Sequence, residues 1–198
     1  ITRYNNNLGI GRNVTVSNLN EPPLATASPN SDFQIYKLKN GNLTIDAYTP
    51  PVTKGARTYV IENGDLIING NIAYDETGYD LTSIKEIPVI AFIVINGNIK
   101  IAPGIEHLSG IFVSLKGEGI GARASGKIMS SSGNSDKTMR IDGTVYGDIE
   151  PLFASRSYVG NARLGQGTIV INYDGRLFYN MPPGLKEVLE IAPEQVAR

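Results

Sequence analysis

The sequence lacks cysteine altogether and contains one histidine, His107. The absence of cysteine excludes disulfides, thiolate nucleophiles and cysteine-ligated zinc sites. With one histidine, a histidine-rich metal site is excluded, and a Ser-His-Asp triad would depend on His107 alone. His107 lies beside Glu106 in a segment that we interpret as a turn without catalytic partners. We therefore expect no metal, no other cofactor and no catalytic residue.

The chain also lacks an excess of charge of one sign. Its 18 Lys and Arg residues balance 19 Asp and Glu residues, for a net charge of −1, and no basic run is present. This composition argues against nucleic acid as a partner. The longest apolar run extends from Ile87 to Ile95, includes Pro88 and is much shorter than the roughly 20 residues of a membrane span. We expect no membrane insertion of this segment.

What the chain does contain is typical of one globular unit. It has 198 residues, of which 41% are hydrophobic and 19% charged, and this composition indicates a single packed core rather than a disordered chain. The sequence begins at Ile1 with neither methionine nor a signal-peptide pattern. We expect it to be a processed product or part of a longer protein.

Turn-forming pairs recur along the chain. Asn-Gly or Asp-Gly pairs begin at positions 40, 63, 69, 96, 142 and 174, among segments rich in Ile, Leu and Val, which is typical of an all-β protein. Such pairs usually form tight hairpins. A hairpin would set polar residues opposite apolar ones at Asp142 and Asp174, so we predict one only at Asn40-Gly41, where the flanking pairs are apolar.

Elsewhere we predict that the strand continues through the glycine, because apolar residues then share one side in four segments. The predicted inward sets are Leu66, Ile68, Ile72 and Tyr74; Ile93, Ile95, Ile99 and Ile101; Met139, Ile141, Val145 and Ile149; and Ile169, Ile171, Tyr173 and Leu177.

An isoleucine precedes Asn or Asp five times. The polar members of these pairs are Asp46, Asn69, Asn96, Asp142 and Asn172. The interval from Asn96 to Asp142 is twice that from Asp46 to Asn69, which predicts one hidden unit at 110–115. Recurrence at roughly 20 to 50 residues is typical of solenoids, in which each unit buries its apolar side against its neighbours.

We therefore predict a parallel β-helix, that is, a solenoid, with an antiparallel β-sandwich built of hairpins as the alternative. Residues 1–33, with paired prolines at 22–23, are predicted to form an extended N-terminal arm, and residues 34–180 the β-helix body. Residues 181–198 are predicted to form a C-terminal cap and tail. Leu185, Val188 and Leu189 have the spacing of a short amphipathic capping helix.

Two candidate sites follow from the polar residues. The Asn and Asp residues that follow isoleucine predict a structural column in which amides at equivalent corners bond to one another. A calcium or glycan site on the outer face is the functional alternative. The second candidate is a carbohydrate face, for which paired carboxylates and exposed tyrosines supply the chemistry. Its residues are Asp142, Asp148, Asp174, Tyr146 and Tyr173.

The repeated runs 64–72 and 92–99, together with 173–176 and Pro182-Pro183-Gly184, resemble β-solenoid regions of predicted surface proteins from candidate-phylum bacteria. The resemblance covers about 59–189 and implies an exported protein. The Gly-x-Ile rhythm is also similar, more weakly, to that of bactofilins, which are polymer-forming β-helices, although the units here are longer and less regular. Neither resemblance implies a catalytic residue.

These observations favour a non-enzymatic structural or adhesive module of a bacterial cell-surface or extracellular assembly, such as a filament or surface layer. Its expected partners are further copies of itself or neighbouring surface proteins. The alternative is a carbohydrate-binding or carbohydrate-active protein, similar to a polysaccharide hydrolase or lyase, whose partner is a glycan.

Overall fold

The computed structural model describes residues 6–20, 34–75, 83–117, 125–156 and 169–185. Within these ranges the chain forms mainly short strands. In chain order they are β1 (Asn6–Ile10), β2 (Val14–Val16), β3 (Ile35–Lys39), β4 (Leu43–Ile45), β5 (Ala56–Glu62), β6 (Leu66–Ile68), β7 (Val89–Ile95), β8 (Ile99–Ile101), β9 (His107–Leu115), β10 (Ile128–Ser130), β11 (Met139–Tyr146) and β12 (Ile169–Asn172). A 3₁₀ turn covers Ile84–Glu86, and two short helices, α1 and α2, cover Glu150–Ser155 and Arg176–Tyr179.

The strands form two parallel sheets. The larger has the order β1-β3-β5-β7-β9-β11-β12, and the smaller has the order β10-β8-β6-β4-β2. Up to β10, consecutive strands lie in different sheets, so the chain passes from one sheet to the other and returns beside its earlier strand. The fold is all-β and β-helix-like. The antiparallel sandwich is wrong for the described residues, because their strand pairs are parallel.

The predicted hairpin at Asn40-Gly41 is also wrong, because β3 and β4 lie in different sheets. Asn40 takes a left-handed conformation with φ 56°, and so do Asn63 (φ 55°) and Asn96 (φ 56°) at the equivalent corners of the next two coils. Asparagine is one of the few residues that adopt this conformation readily. These corners turn the chain from the larger sheet into the smaller one.

Glycine follows each of these asparagines because successive corners lie against one another. A Cβ atom on Gly64 would lie 1.9 Å from the carbonyl oxygen of Gly41, and one on Gly97 would lie 1.8 Å from that of Gly64. No side chain fits at such distances. The Asn-Gly pair is therefore the local sequence that allows the corners to stack.

The interior contains a continuous stack of aromatic rings. Tyr36, Tyr59, Phe92 and Phe112 come from β3, β5, β7 and β9, and their ring centroids are 5.0, 5.2 and 5.7 Å apart. The four side chains are almost fully buried. β9 contains the hidden unit at 110–115, and its position between β7 and β11 confirms that prediction.

The predicted inward faces are correct for part of the chain. Leu66, Ile68, Ile72 and Tyr74 are buried, as are Met139 and Ile141. In β7, however, Phe92 and Val94 face the core, whereas Ile93 and Ile95 lie on the other face and are half-buried. The prediction for Ile93 and Ile95 is therefore wrong, because the left-handed corner at Asn96 changes the alternation between β7 and β8.

The outer face of the larger sheet is partly covered by the C-terminal part of the chain. Leu177 belongs to one apolar cluster with Val89, Ala91 and Ile111 on this face, and Leu185 packs against that cluster. The Thr58 hydroxyl donates a hydrogen bond to the carbonyl oxygen of Pro183 at 2.6 Å. The segment predicted as a capping helix begins at Leu185 and otherwise lies outside the described residues. Within the predicted arm, β1 and β2 pair with the next coil.

Candidate functional site

A ladder of asparagine side chains runs along one corner of the coils. The Asn63 side-chain amide donates to Oδ1 of Asn40 at 2.9 Å, and the Asn96 amide donates to Oδ1 of Asn63 at 2.8 Å. These residues are 23 and 33 positions apart. Each side-chain amide thus forms a hydrogen bond with the asparagine of the neighbouring coil, although the coils differ in length.

A second ladder uses side-chain oxygens and backbone amides. The oxygen Oδ1 of Asn42 accepts from the backbone N–H of Asp65, and Oδ1 of Asp65 accepts from the backbone N–H of Asn98, both at 2.9 Å. Asn13 and Asn98 extend the series with the backbone N–H groups of Asn42 and Lys127. The two ladders lie at the two ends of one corner and stabilise the register of the coils.

The five residues predicted as one column occupy three different places. Asn96 belongs to the asparagine ladder, and Asp142 and Asn172 lie opposite each other in β11 and β12. Asp46 and Asn69 directly follow β4 and β6 in the smaller sheet, where the equivalent residue of the next coil is Ala102. Unequal insertions make the spacing of Ile-Asn and Ile-Asp pairs an insufficient guide to their place on the coil.

A polar cluster centred on Asp142 lies on the outer face of the larger sheet. Atom Nε2 of His107 lies 2.7 Å from Oδ2 of Asp142. Arg140 Nε and Asn172 Nδ2 donate to Oδ1 of Asp142 at 2.7 and 3.0 Å. Ser109 Oγ lies 3.3 Å from Nε2 of His107. Three adjacent strands, β9, β11 and β12, are thus joined through one carboxylate, and His107 is a strand residue rather than the predicted turn residue.

The cluster contains serine, histidine and aspartate but not the geometry of a hydrolytic triad. In a triad, aspartate holds Nδ1 of the imidazole so that Nε2 is free to take the serine proton. Here Ser109 and Asp142 both contact Nε2. The Asp142 carboxylate accepts hydrogen bonds only, so Nε2 must carry the proton that it donates. Nε2 then has no free lone pair with which to activate Ser109.

Asp142 is ionised over a wide pH range because of its neighbours. Burial alone would raise the pKa of its carboxyl group, but hydrogen bonds from Arg140, Asn172 and His107 outweigh burial and hold the pKa below its ordinary value. A charged Asp142 is the form that its three donors stabilise. The cluster therefore acts as an electrostatic clamp between strands.

A groove of about 930 Å³ lies at the ends of three strands. Its walls are 114–116 at the end of β9, 125–127 at the start of β10, and 145–148 at the end of β11. Tyr146 lines the groove and is 64% exposed. Lys116 and Lys127 line it from two sides, and Asp148 lies on the third.

The residues of the predicted carbohydrate face are divided between this groove and two other places. Tyr146 and Asp148 line the groove, whereas Asp142 is engaged in the polar cluster. Tyr173 and Asp174 follow β12, where the Tyr173 ring lies 5.4 Å from the Phe178 ring and Asp174 pairs with Arg176.

Sequence reasoning missed a buried arginine, Arg57, that faces the core beside the aromatic stack. It is 5% exposed, and Nη2 donates to the carbonyl oxygen of Asn20 at 3.1 Å. Burial raises the pKa of Tyr36 and of Tyr59, and the nearby Arg57 charge opposes part of that rise. The sequence indicates the burial of Arg57 only through its position, because alternate residues of a strand share a face and Tyr59 and Ile61 lie two and four residues later.

Metal ligands do not cluster in the part of the chain that the structure describes, where no three His, Asp or Glu side chains come together as a possible cation site. The helices in these ranges are also too short and too polar to cross a membrane. A scan against protein-family models and searches of curated proteins and of solved structures find no match to this chain.

Proposed function

We propose that this chain is a non-enzymatic structural or adhesive module whose coils form a β-helix, and that it belongs to a bacterial cell-surface or extracellular assembly. The observation that carries the proposal is the joining of successive coils by two side-chain ladders and one aromatic stack. Each coil is held by its neighbours, as in a solenoid. Such a body is stiff along its length and suits a load-bearing or presenting role.

The chemistry of the polar cluster supports a structural role over a catalytic one. His107 pairs with Asp142 through Nε2, and Ser109 contacts the same ring nitrogen. Arg140 and Asn172 donate hydrogen bonds to the other oxygen of the Asp142 carboxylate. The contacts of Asp142 with His107 and Asn172 join neighbouring strands, and none of the four contacts leaves a group poised for proton transfer.

The ends of the two sheets offer a way for copies to associate. Among the described residues, β12 pairs with one neighbour, β11, and β1 pairs with one neighbour, β3. Outer strands expose backbone groups that another chain can pair with. Because the strand pairs in the described ranges are parallel, the last coil of one copy is complementary to the first coil of the next. This head-to-tail contact does not close on itself and builds a filament.

The proposal is tested by light scattering over a concentration series and by negative-stain electron microscopy. We expect mass to rise with concentration and elongated particles to appear. Ile171, which is 46% exposed in β12, is the residue to change: Ile171→Lys should suppress association. Ile84→Lys, at a 59% exposed position in the 3₁₀ turn, is the matched control. A parent protein that stays monomeric at every concentration would contradict the filament.

A carbohydrate-binding or carbohydrate-active protein is the second candidate, and the groove with its exposed Tyr146 favours it. Catalysis is tested with a polysaccharide panel and assays for reducing sugars and unsaturated products. Turnover that disappears in Asp142→Ala or Asp174→Ala would establish an enzyme and remove the structural proposal.

A further inference from the structure

We propose that the groove lined by Lys116, Lys127 and Tyr146 binds an acidic polysaccharide. The acidic groups of the ligand would lie against the two ammonium groups, and the apolar face of one sugar ring would stack on Tyr146. This inference rests on the adhesive role proposed above, because it identifies the surface that the module adheres to.

Three lysines of the described surface have a carboxylate partner, whereas Lys116 and Lys127, like Lys39 and Lys54, have none among the described residues. Lys37 pairs with Glu62, Lys100 with Asp65 at 2.7 Å, and Lys137 with Glu106 at 2.5 Å. Lys116 and Lys127 form no ion pair with any described residue, yet they line the same groove. No described carboxylate pairs with either ammonium group, and two cations in one concave site favour an anion.

The carboxylate of Asp148 does not cancel this charge. Its Oδ1 accepts the backbone N–H of Glu150 at 3.3 Å, where α1 begins. Among the described residues that line the groove, two are cations and one is an anion, although the whole chain carries a net charge of −1. The described lining is therefore net positive, whereas the chain is net negative.

The three walls of the groove meet through glycines, which bring its side chains close together. A Cβ atom on Gly126 would lie 2.9 Å from the backbone nitrogen of Lys116. A Cβ atom on Gly147 would lie 3.0 Å from the carbonyl oxygen of Ser114 and 3.1 Å from that of Gly126. These close approaches position Lys116, Lys127 and Tyr146 on one groove, so the site is fixed by the backbone.

An exposed tyrosine beside two lysines matches the chemistry of a uronic acid polymer. Tyrosine offers an apolar ring face and a polar edge, as a pyranose does. Ammonium groups bind carboxylate or sulfate oxygens as point charges without fixed geometry. A neutral glycan would leave both ammonium groups without partners. Nucleic acid would require a longer basic track than two lysines with a carboxylate nearby.

The experiment measures retention of the full chain in affinity gel electrophoresis, in gels that contain polygalacturonate, alginate, neutral dextran or single-stranded oligothymidine. We expect retention by the two acidic polysaccharides and none by dextran. Lys116→Ala combined with Lys127→Ala should weaken it by at least about tenfold, and Tyr146→Ala should also weaken it. Added salt should weaken it further.

Two variants serve as matched controls. Lys39→Ala combined with Lys54→Ala removes the same charge from exposed positions outside the groove, and Tyr48→Ala removes a tyrosine that is 92% exposed elsewhere. Both should retain the parent's mobility shift. Equal losses in the control and groove variants would overturn the proposal, as would equal retention by dextran or stronger retention by oligothymidine.

Association is measured on the same samples. Assembly without retention by any polysaccharide would reject the groove and leave the structural role standing. Retention by acidic polysaccharide in a strictly monomeric protein would support the groove and reject the filament.

Discussion

Asn96 donates a hydrogen bond from its side-chain amide to Oδ1 of Asn63, 2.8 Å away on the preceding coil. Asn63 in turn donates to Asn40 and has a left-handed backbone with φ 55°. Replacing Asn63 by alanine removes both hydrogen bonds. It also places alanine in the left-handed conformation, which alanine disfavours. We expect Asn63→Ala to lower the free energy of unfolding by about 2 to 3 kcal/mol in urea denaturation.

Asn63→Gly is the matched control, because glycine accepts the left-handed conformation and loses only the ladder bonds. It should cost less than the alanine variant. Equal losses in the two variants would show that the conformation at this corner contributes nothing.

Gly64 lies at a corner where two successive coils approach closely. A Cβ atom there would lie 1.9 Å from the carbonyl oxygen of Gly41, so Gly64→Ala must push two coils apart. We expect a loss of about 3 kcal/mol or more, measured by thermal or urea unfolding. Gly104→Ala, at a position with open space around it, should be nearly neutral. A Gly64→Ala variant that melts with the parent would contradict the stacked corners.

Phe92 lies in the middle of the aromatic stack and is fully buried. Phe92→Ala removes its contacts with the rings above and below and leaves a cavity, so we expect a loss of about 3 to 5 kcal/mol in the free energy of unfolding. Phe178→Ala is the control, because that ring is 78% exposed. Similar unfolding midpoints for the two variants would contradict a continuous stack.

The sequence predicted the parallel pairing because isoleucine and leucine recur at one parity in separate segments. Hairpins would set polar residues opposite apolar ones at Asp142 and Asp174, and the structure has no hairpin at either position. The doubled interval also located β9, although that strand has no Asn-Gly pair of its own. Burial of apolar side chains dominates the fold, and its pattern is visible in the sequence.

The corners were less predictable because identical dipeptides serve different roles. Asn63 and Asn96 have positive φ values, whereas Asn69, also followed by glycine, lies outside the positive-φ set. Burial alternates unbroken from Leu66 through Gly70 to Tyr74. An Asn-Gly pair becomes a corner through its contact with the neighbouring coil. The local sequence carries no information about that contact. The same limit explains why the five predicted column residues separate into three places.

The polar cluster could not be predicted from spacing either. His107 and Asp142 are 35 residues apart, and they meet because β9 and β11 are adjacent. Their proximity depends on the register of the two strands, in which Arg140 lies opposite His107. Only the aligned coils reveal which titratable residues become neighbours.

The change of parity at Asn96 has a direct mutational test. Val94 is fully buried in the core, whereas Ile95 is half-buried on the opposite face. Val94→Asp places an unpaired carboxylate inside the hydrophobic core and should unfold the chain, because a buried charge without a partner costs several kcal/mol. Ile95→Asp should leave a folded protein, as judged by circular dichroism. The reverse ranking would show that the inward face of β7 has been misassigned.

The electrostatic clamp at Asp142 should make stability depend on pH. Hydrogen bonds from Arg140, Asn172 and His107 outweigh the effect of burial and lower the pKa of Asp142 in the folded state. A lowered folded-state pKa stabilises the protein above the unfolded-state pKa, and this contribution is lost as the pH falls through the folded-state value. Asp142→Asn, which carries no charge, should therefore be less stable than the parent near neutral pH.

The measurement is the urea midpoint of the parent and of Asp142→Asn at a series of pH values from neutral to strongly acidic. The gap between the two should be widest near neutrality and should close in the acid range, from about pH 5 downward. Asp136→Asn, at an exposed position outside the cluster, is the control, and it should follow the parent throughout. A gap that keeps the same size at every pH would mean that Asp142 contributes through packing and neutral hydrogen bonds, and that its charge does not hold the three strands together.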